Sequence, residues 1–239
     1  MMGEELEARE LSNGRLVTYL VEEFAKGYTM DIFEPSGSDG YMVERQDLSY
    51  MPKAYKSKTL NDFKWDAYNG EDTYMARRIV DGMINKYDMI IQSGRGLYIY
   101  SETPGTGKTM LACAIANELL KTRDMRVKFI TAPKYAELKF EDRGEFMESS
   151  LLILDDWGSQ SERQEWMVEA LFKLIDYRYE HILPTIITSN KAPGESTKDD
   201  RSISRIKATA MQVKLPEYSV RDERANEYTK SFIAELLRD

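Results

Sequence analysis

A single cysteine, Cys113, and a single histidine, His181, stand in this chain of 239 residues. One cysteine closes no intramolecular disulfide. Neither a cysteine-type zinc site nor a histidine-centred metal cluster or triad can be assembled. Cys113 falls within an apolar helical run and reads as a small buried hydrophobe. His181 reads as a surface residue at a helix end. No run of 18 apolar residues occurs, so no membrane-spanning helix and no membrane partner are expected. The opening Met1-Met2-Gly3-Glu4-Glu5 is acidic rather than signal-like, which makes a cytoplasmic protein the expectation. Positive charge is also in deficit, with 33 Lys and Arg against 41 Asp and Glu, a net charge of −8. That balance argues against broad electrostatic capture of nucleic acid, whose affinity comes largely from neutralised phosphates. A local basic face remains compatible with it.

The most informative feature present is Pro104-Gly105-Thr106-Gly107-Lys108-Thr109. It follows the apolar run Gly96-Leu97-Tyr98-Ile99-Tyr100, which reads as a buried strand, and precedes Met110 to Leu120, which reads as a helix. Strand, glycine-rich loop and helix in that order form a phosphate-binding loop. Glycines let the backbone fold tightly enough for its N–H groups to face phosphate oxygens, and the helix N-terminus adds partial positive charge. Residues 104–110 are the expected cradle, with Lys108 reaching the β- and γ-phosphates of ATP and the Thr109 hydroxyl holding Mg²⁺. The pattern's first glycine would stand at position 102, which is Glu102. Its carboxylate either weakens nucleotide binding or points outward, and the sequence does not choose.

Around this loop the pattern alternates. Strands are predicted over 97–101, 126–131, 150–155 and 184–189, and helices over 108–122, about 133–140 and 161–180, with another over Thr73 to Tyr87. Such alternation implies an α/β protein with a doubly wound parallel sheet covered by helices on both faces. The end of the chain, from about 216, offers one helix, a minimal C-terminal lid. Residues 1–56 differ in composition, with six basic and eleven acidic residues. Within them Arg15 to Lys26 carries Leu16, Val17, Leu20, Val21 and Phe24 at helical spacing, so a short amphipathic helix is expected there. It either packs on the main domain or binds a partner. The break Pro35-Ser36-Gly37-Ser38-Asp39-Gly40 then separates it from the remainder of the chain, and the expected division is a segment 1–56 and a domain 57–239.

Two further strands end in polar groups. Leu151-Leu152-Ile153-Leu154 is a continuous apolar run, as in a buried parallel strand, and Asp155-Asp156 stand at its carboxyl end, where open α/β sheets bind ligands. Asp155 is placed to hold the Mg²⁺ shell, directly or through water, and Asp156 to orient or deprotonate an attacking water. Pro184 to Ser189 leads to Asn190, which is either a donor to that water or to the γ-phosphate, or a turn-capping residue. Residues 191–214 then turn basic, with six Lys and Arg against three acids, and Arg201 and Arg205 share one helix face. In a ring-forming ATPase an arginine so placed enters the neighbour's site. Arg221 lies where it can contact the γ-phosphate within its own subunit.

The runs Gly105 to Thr109, Leu152 to Gly158, Tyr177-Arg178-Tyr179 and Pro184 to Asn190 resemble the AAA+ helicase-loader ATPases of bacteria and phages, the DnaC/DnaI type, with which the IstB transposition ATPases are grouped. The resemblance covers about residues 60–225. It implies an AAA+ P-loop fold, ATP and Mg²⁺ as cofactors, Lys108 and Thr109 as Walker A, Asp155 and Asp156 as Walker B, and Asn190 as sensor 1. It also implies Arg205, with Arg201 nearby, as the arginine finger, and Arg221 as sensor 2. The implied partners are a hexameric replicative helicase of the DnaB type, gripped by the N-terminal segment, further copies of the chain in the presence of ATP, and, more weakly, single-stranded DNA. Besides Glu102 in place of the first loop glycine, two departures shape the expectation. The N-terminal region has no cysteines with which to bind zinc, and Lys134 to Ser150 is short for the extra helix that family members place near single-stranded DNA. Two other functions share the same motifs: an IstB-like transposition helper, which predicts strong double-stranded DNA binding, and a nucleotide-gated adaptor with little hydrolysis, which Glu102 and Asp156 favour.

Overall fold

The computed structural model describes residues 5–10, 16–24, 28–33, 45–159 and 164–236. Near the N-terminus, β1 (Glu5–Glu10), β2 (Leu16–Phe24) and β3 (Tyr28–Phe33) form an antiparallel sheet in that order. Glu7 is paired with Tyr19, and Glu22 with Met30. The amphipathic helix expected over Arg15 to Lys26 is therefore a strand for its described part. Val17, Thr18, Tyr19 and Val21 are β-branched or aromatic, types that lose freedom in a helix and fit a pleated surface. Asn13-Gly14 and Gly27 bound the run with turn chemistry, a hairpin signal that outweighs the apolar spacing. The expected break over 35–40 lies outside the described residues.

The main body begins at Arg45. Residues 45–58 pack along the helix that succeeds the phosphate loop. Phe129 N donates to Ser49 O (2.8 Å), Gln46 Nε2 to Asn117 Oδ1 (3.0 Å), and the buried Asn117 Nδ2 to the carbonyls of Tyr55 and Lys58 (3.0 and 2.7 Å). The helix expected over 73–87 is two, α1 (Tyr74–Asn85) and α2 (Tyr87–Ser93), joined at Lys86. Then β4 (Gly96–Tyr100), α3 (Lys108–Thr122), β5 (Val127–Thr131), α4 (Ala132–Glu137), the single turn α5 (Gly144–Met147) and β6 (Leu151–Trp157) alternate. After them come α6 (Glu165–Glu180), β7 (Thr185–Ser189), α7 (Asp200–Thr209), β8 (Ala210–Lys214) and α8 (Val220–Leu236).

The five core strands are parallel, in the order β5-β6-β7-β4-β8. Leu97, Ile99, Leu151 to Leu154 and Ile186 are fully buried, as strands covered on both faces must be. One apolar cluster joins the sheet to α3 and α1, with Leu111, Ile115 and Val80 inside it. The other joins it to α4 and α6, with Tyr135, Leu171 and Leu174 inside it. Cys113 is buried and His181 caps α6 at the surface, as expected. β8 has no counterpart in the predicted elements. It is an edge strand of alternating character in which Val213 is buried while Gln212 and Lys214 are exposed, so it lacks a continuous apolar run. β4 lies between β7 and β8, while its successor β5 sits at the far edge, so the winding reverses at β4. The crevice outside the carboxyl ends of β4, β6 and β7 is where such a sheet takes a ligand.

Candidate nucleotide-binding site

The loop between β4 and α3 is shaped by two glycines in the left-handed region, Gly105 (φ 78°) and Gly107 (φ 92°), the latter capping α3. A Cβ at Gly105 would lie 2.5 Å from Ser219 Oγ, and one at Gly107 3.0 Å from the Phe63 ring. Both positions therefore need glycine for conformation and for space. Lys108 is largely buried, and its Nζ donates to Ser101 O (3.1 Å), Thr103 O (3.0 Å) and Thr106 Oγ1 (3.3 Å). Burial holds this amine below its ordinary pKa, against the pull of the Glu217 and Asp155 carboxylates.

Across the crevice, β6 delivers the two aspartates. Asp155 Oδ1 accepts from Thr109 Oγ1 (2.8 Å) and from Thr188 Oγ1 of β7 (2.6 Å). Burial pushes the Asp155 carboxyl up from its ordinary value despite those hydrogen bonds, so an adjacent cation would relieve a charge the protein only partly compensates. Asp156 adopts a left-handed backbone (φ 59°), where the pairing of β6 with β7 shifts register between Leu154 and Trp157, and its N–H donates to Thr188 Oγ1 (3.0 Å). A non-glycine residue held there is a local strain of the kind found at functional sites. Asn190 is exposed directly after β7. Arg221 donates its backbone N–H to Gly105 O (3.0 Å) and leaves its guanidinium exposed.

One cleft of about 400 Å³ collects these groups: residues 104–110, Asp155, Asp156, Asn190 and Arg221 all line it. Tyr55, Phe63, Lys64 and Tyr68 line it as well, and the Tyr68 hydroxyl donates to Thr106 O (2.7 Å). The cluster of aromatics over 55–68 is the sequence signal for this wall, but no spacing rule identifies it. Thr188 and Glu217 carry no such signal. The polar ends of two strands and a glycine-rich loop fit a nucleoside triphosphate. Among the described residues no group of three or more His, Cys, Asp and Glu could hold a metal ion by itself. Thr109 and Asp155 supply two oxygens, which fits Mg²⁺ arriving with phosphate oxygens and water rather than a resident ion.

Arg205 does not reach this cleft. Its Nε donates to Asp176 Oδ1 of α6 (2.8 Å), and its guanidinium lies 4.6 Å from the centre of the Tyr179 ring. Arg201 is likewise tied to Asp199 (2.9 Å) and Glu169 (3.2 Å) and sits over Phe172. Of the basic residues near the end of α3, Lys121 pairs with Glu118, Arg123 with Asp88, and Lys128 with Glu145, which suits a solvated face. Between β5 and β6 the chain forms α4, a 3-10 turn over Phe140–Asp142 and the single turn α5, with no longer helix. Arg178, which the sequence marks only as part of the Tyr177-Arg178-Tyr179 run, is a buried cation without a carboxylate. It donates to the carbonyls of Phe146, Met147, Ser149 and Pro184 and to Thr185 Oγ1. Desolvation lowers its pKa to about 9. It ties the segment before β6 to the start of β7, the two strands that carry the polar ends.

A parallel α/β sheet with a glycine-rich loop after its switch-point strand, an Asp-tipped neighbour and a helix opening on Lys-Thr defines a P-loop nucleotide-binding protein of the AAA+ type. Residues 45–204 match the family described as IstB-like ATP binding protein, and the chain belongs to that family. The replicative helicase loader DnaI of Bacillus subtilis (strain 168) is 32% identical over 111 residues, which are 43% of this chain and 35% of that protein. This chain thus matches about a third of the length of that relative. A crystal structure of DnaI (TM-score 0.60, 24% identity) covers 74% of this chain and all of that one. That of the DnaC helicase loader (TM-score 0.59, 22% identity) covers 69% and 99%. Both establish the fold. No helix among the described residues is long and apolar enough to cross a membrane.

Proposed function

We propose that this protein is an ATPase that helps place a hexameric replicative helicase of the DnaB type on single-stranded DNA, assembling with further copies of itself when ATP is bound. The observation that carries the reading is the convergence of Lys108, Thr109, Asp155, Asp156 and Asn190 on one cleft, in a chain of an ATP-binding family that is 32% identical over 111 residues to a replicative helicase loader.

In this reading the N–H groups from Gly105 to Met110 cradle the phosphates, and Pro104, which has no N–H, stiffens the turn. Lys108 exchanges its bonds to loop carbonyls for phosphate oxygens. Thr109 and Asp155 hold Mg²⁺, which neutralises charge on the phosphate oxygens when bound. Asp156 orients the attacking water and accepts its proton, and Asn190 donates to that water or to the γ-phosphate. Arg221 faces the γ-phosphate from the base of α8. Arg205 acts on a neighbouring copy, for which it must leave Asp176. Within residues 1–56, proposed as the partner-binding segment beside an ATPase domain 57–239, the grip falls to residues ahead of 45, because 45–58 is packed along α3. An IstB-like transposition helper is favoured by the family match alone, while the net charge of −8 weighs against tight binding to duplex DNA.

The experiment is to mix the full chain with the purified replicative helicase of its host, with ATP, with ADP and without nucleotide, and to measure assembly masses. A helicase complex that forms with ATP supports the proposal. Strong duplex-DNA binding without any helicase complex refutes it.

A further inference from the structure

The segment from Leu215 to Arg221 joins β8 to α8 and runs beside the phosphate loop. Leu215 N donates to Tyr100 O (2.9 Å), and Arg221 N to Gly105 O (3.0 Å). Between these contacts lies Glu217. Its Oε2 accepts from Thr103 N (2.7 Å) and Ser101 Oγ (2.8 Å), and its Oε1 accepts from Glu102 N (3.2 Å). One carboxylate thereby engages both backbone N–H groups that precede Pro104.

Position 102 is where a glycine usually opens a loop of this kind. Glu102 is not among the positive-φ residues, and its side chain is exposed. The start of the loop is therefore held from outside, by a charged acceptor on the lid side, rather than by glycine geometry. The same short segment places Ser219 and Arg221 against Gly105, so close that a Cβ on Gly105 would meet both. None of the donors that Glu217 engages belongs to the Gly105–Met110 cradle, so the clamp leaves the phosphate donors free.

We propose that Glu217 is a positioning residue for nucleotide binding, clamping the start of the phosphate loop to the base of α8 so that the cradle and Arg221 face the same phosphates. This rests on the reading of the cleft as an ATP site. Without the clamp, loop and lid base must be ordered by the nucleotide itself, and that cost appears as lost affinity.

The test uses the full chain and a fluorescent ATP analogue. Glu217→Gln preserves shape but replaces one acceptor oxygen by a donor group, so at least one of the three hydrogen bonds is lost. The dissociation constant is expected to rise about tenfold, as for loss of charge-assisted hydrogen bonds. Glu217→Asp, which keeps the charge at shorter reach, should fall between Gln and wild type. Loss of this carboxylate lowers the nucleotide-free unfolding temperature in either case, but a purely structural role would simply add to any other binding defect. The clamp instead predicts that Arg221→Ala costs less affinity in the Glu217→Gln background than in wild type. Should Glu217→Gln fail to fold, Ser101→Ala removes one donor, and a rise of about threefold is expected. Wild-type binding with variant affinities within about twofold of it, or fully additive effects with Arg221→Ala, overturns the clamp alone. No saturable binding by the wild type overturns the nucleotide site and the clamp together.

Discussion

Thr109 Oγ1 donates to Asp155 Oδ1 across 2.8 Å, which joins the first turn of α3 to the end of β6. In the proposed function these two oxygens would hold Mg²⁺, and the hydrogen bond between them fixes their positions. Thr109→Val keeps the shape and deletes the hydroxyl. Hydrolysis is expected to fall about a hundredfold, with Mg²⁺-free nucleotide binding little changed. Titrating Mg²⁺ against activity checks this, and an unchanged Mg²⁺ requirement and rate would contradict it.

Asp156 offers a cleaner substitution than its backbone suggests. Its φ of 59° is tolerated by Asn far better than by Ala, so Asp156→Asn removes the proposed base and keeps the turn. Turnover should drop about a hundredfold or more while ATP binding stays near wild type. Single-turnover hydrolysis and equilibrium binding measured on one preparation separate these outcomes.

Much of this arrangement is readable in the chain, for reasons tied to particular residues. Leu151 to Leu154 is uninterrupted because β6 is covered on both faces, and its period can belong to little else once Asp155 and Asp156 close it. Gly105 and Gly107 mark the loop because no other residue fits their conformation. The edge strand β8 is not readable, since only Val213 of its five residues is buried and Gln212 interrupts the run. β2 reads as a helix because Leu16, Val17, Leu20, Val21 and Phe24 satisfy a helical period by coincidence, while its β-branched residues and flanking glycines speak for the strand it is. Glu217 is invisible because it lies 114 to 116 positions from its partners, a contact that only the fold creates. Where Arg205 acts, if on a neighbouring subunit, is legible in neither a single sequence nor a single chain.

For Arg205, the ion pair with Asp176 is exposed enough to exchange partners at little cost. Arg205→Ala is expected to leave ATP binding intact and to lower hydrolysis per subunit at protein concentrations where assemblies form, with little effect in dilute monomers. Activity measured across a concentration series is the check. A defect of equal size at every concentration would place its action within the subunit.

Arg178→Met should destabilise the protein without touching the cleft. Four carbonyls and the Thr185 hydroxyl lose their donor in a buried space, for a cost of about 3 kcal/mol or more. The melting temperature is expected to fall by roughly 10 °C. Calorimetry on wild type and variant decides this.

Glu217 also gives a pH dependence. Partial burial raises its pKa, but the hydrogen bonds from Thr103, Ser101 and Glu102 outweigh that and hold it below the ordinary carboxylate value. The folded value being lower than the unfolded one, the clamp's stabilisation is fully present above the ordinary glutamate range. It is lost as pH falls through the depressed value. The difference in melting temperature between wild type and Glu217→Gln should therefore shrink on acidification. A difference that grows would reverse the sign.

Whether the cleft binds nucleotide is measured by calorimetric titration of Mg²⁺-ATP into the wild-type protein and into Lys108→Ala. Lys108 is the buried cation, with three bonds to the loop, that is proposed to take phosphate oxygens in their place. Saturable binding by the wild type is expected, with a loss of about a hundredfold or more in the variant. Equal affinities in the two proteins, or no binding by either, would contradict it.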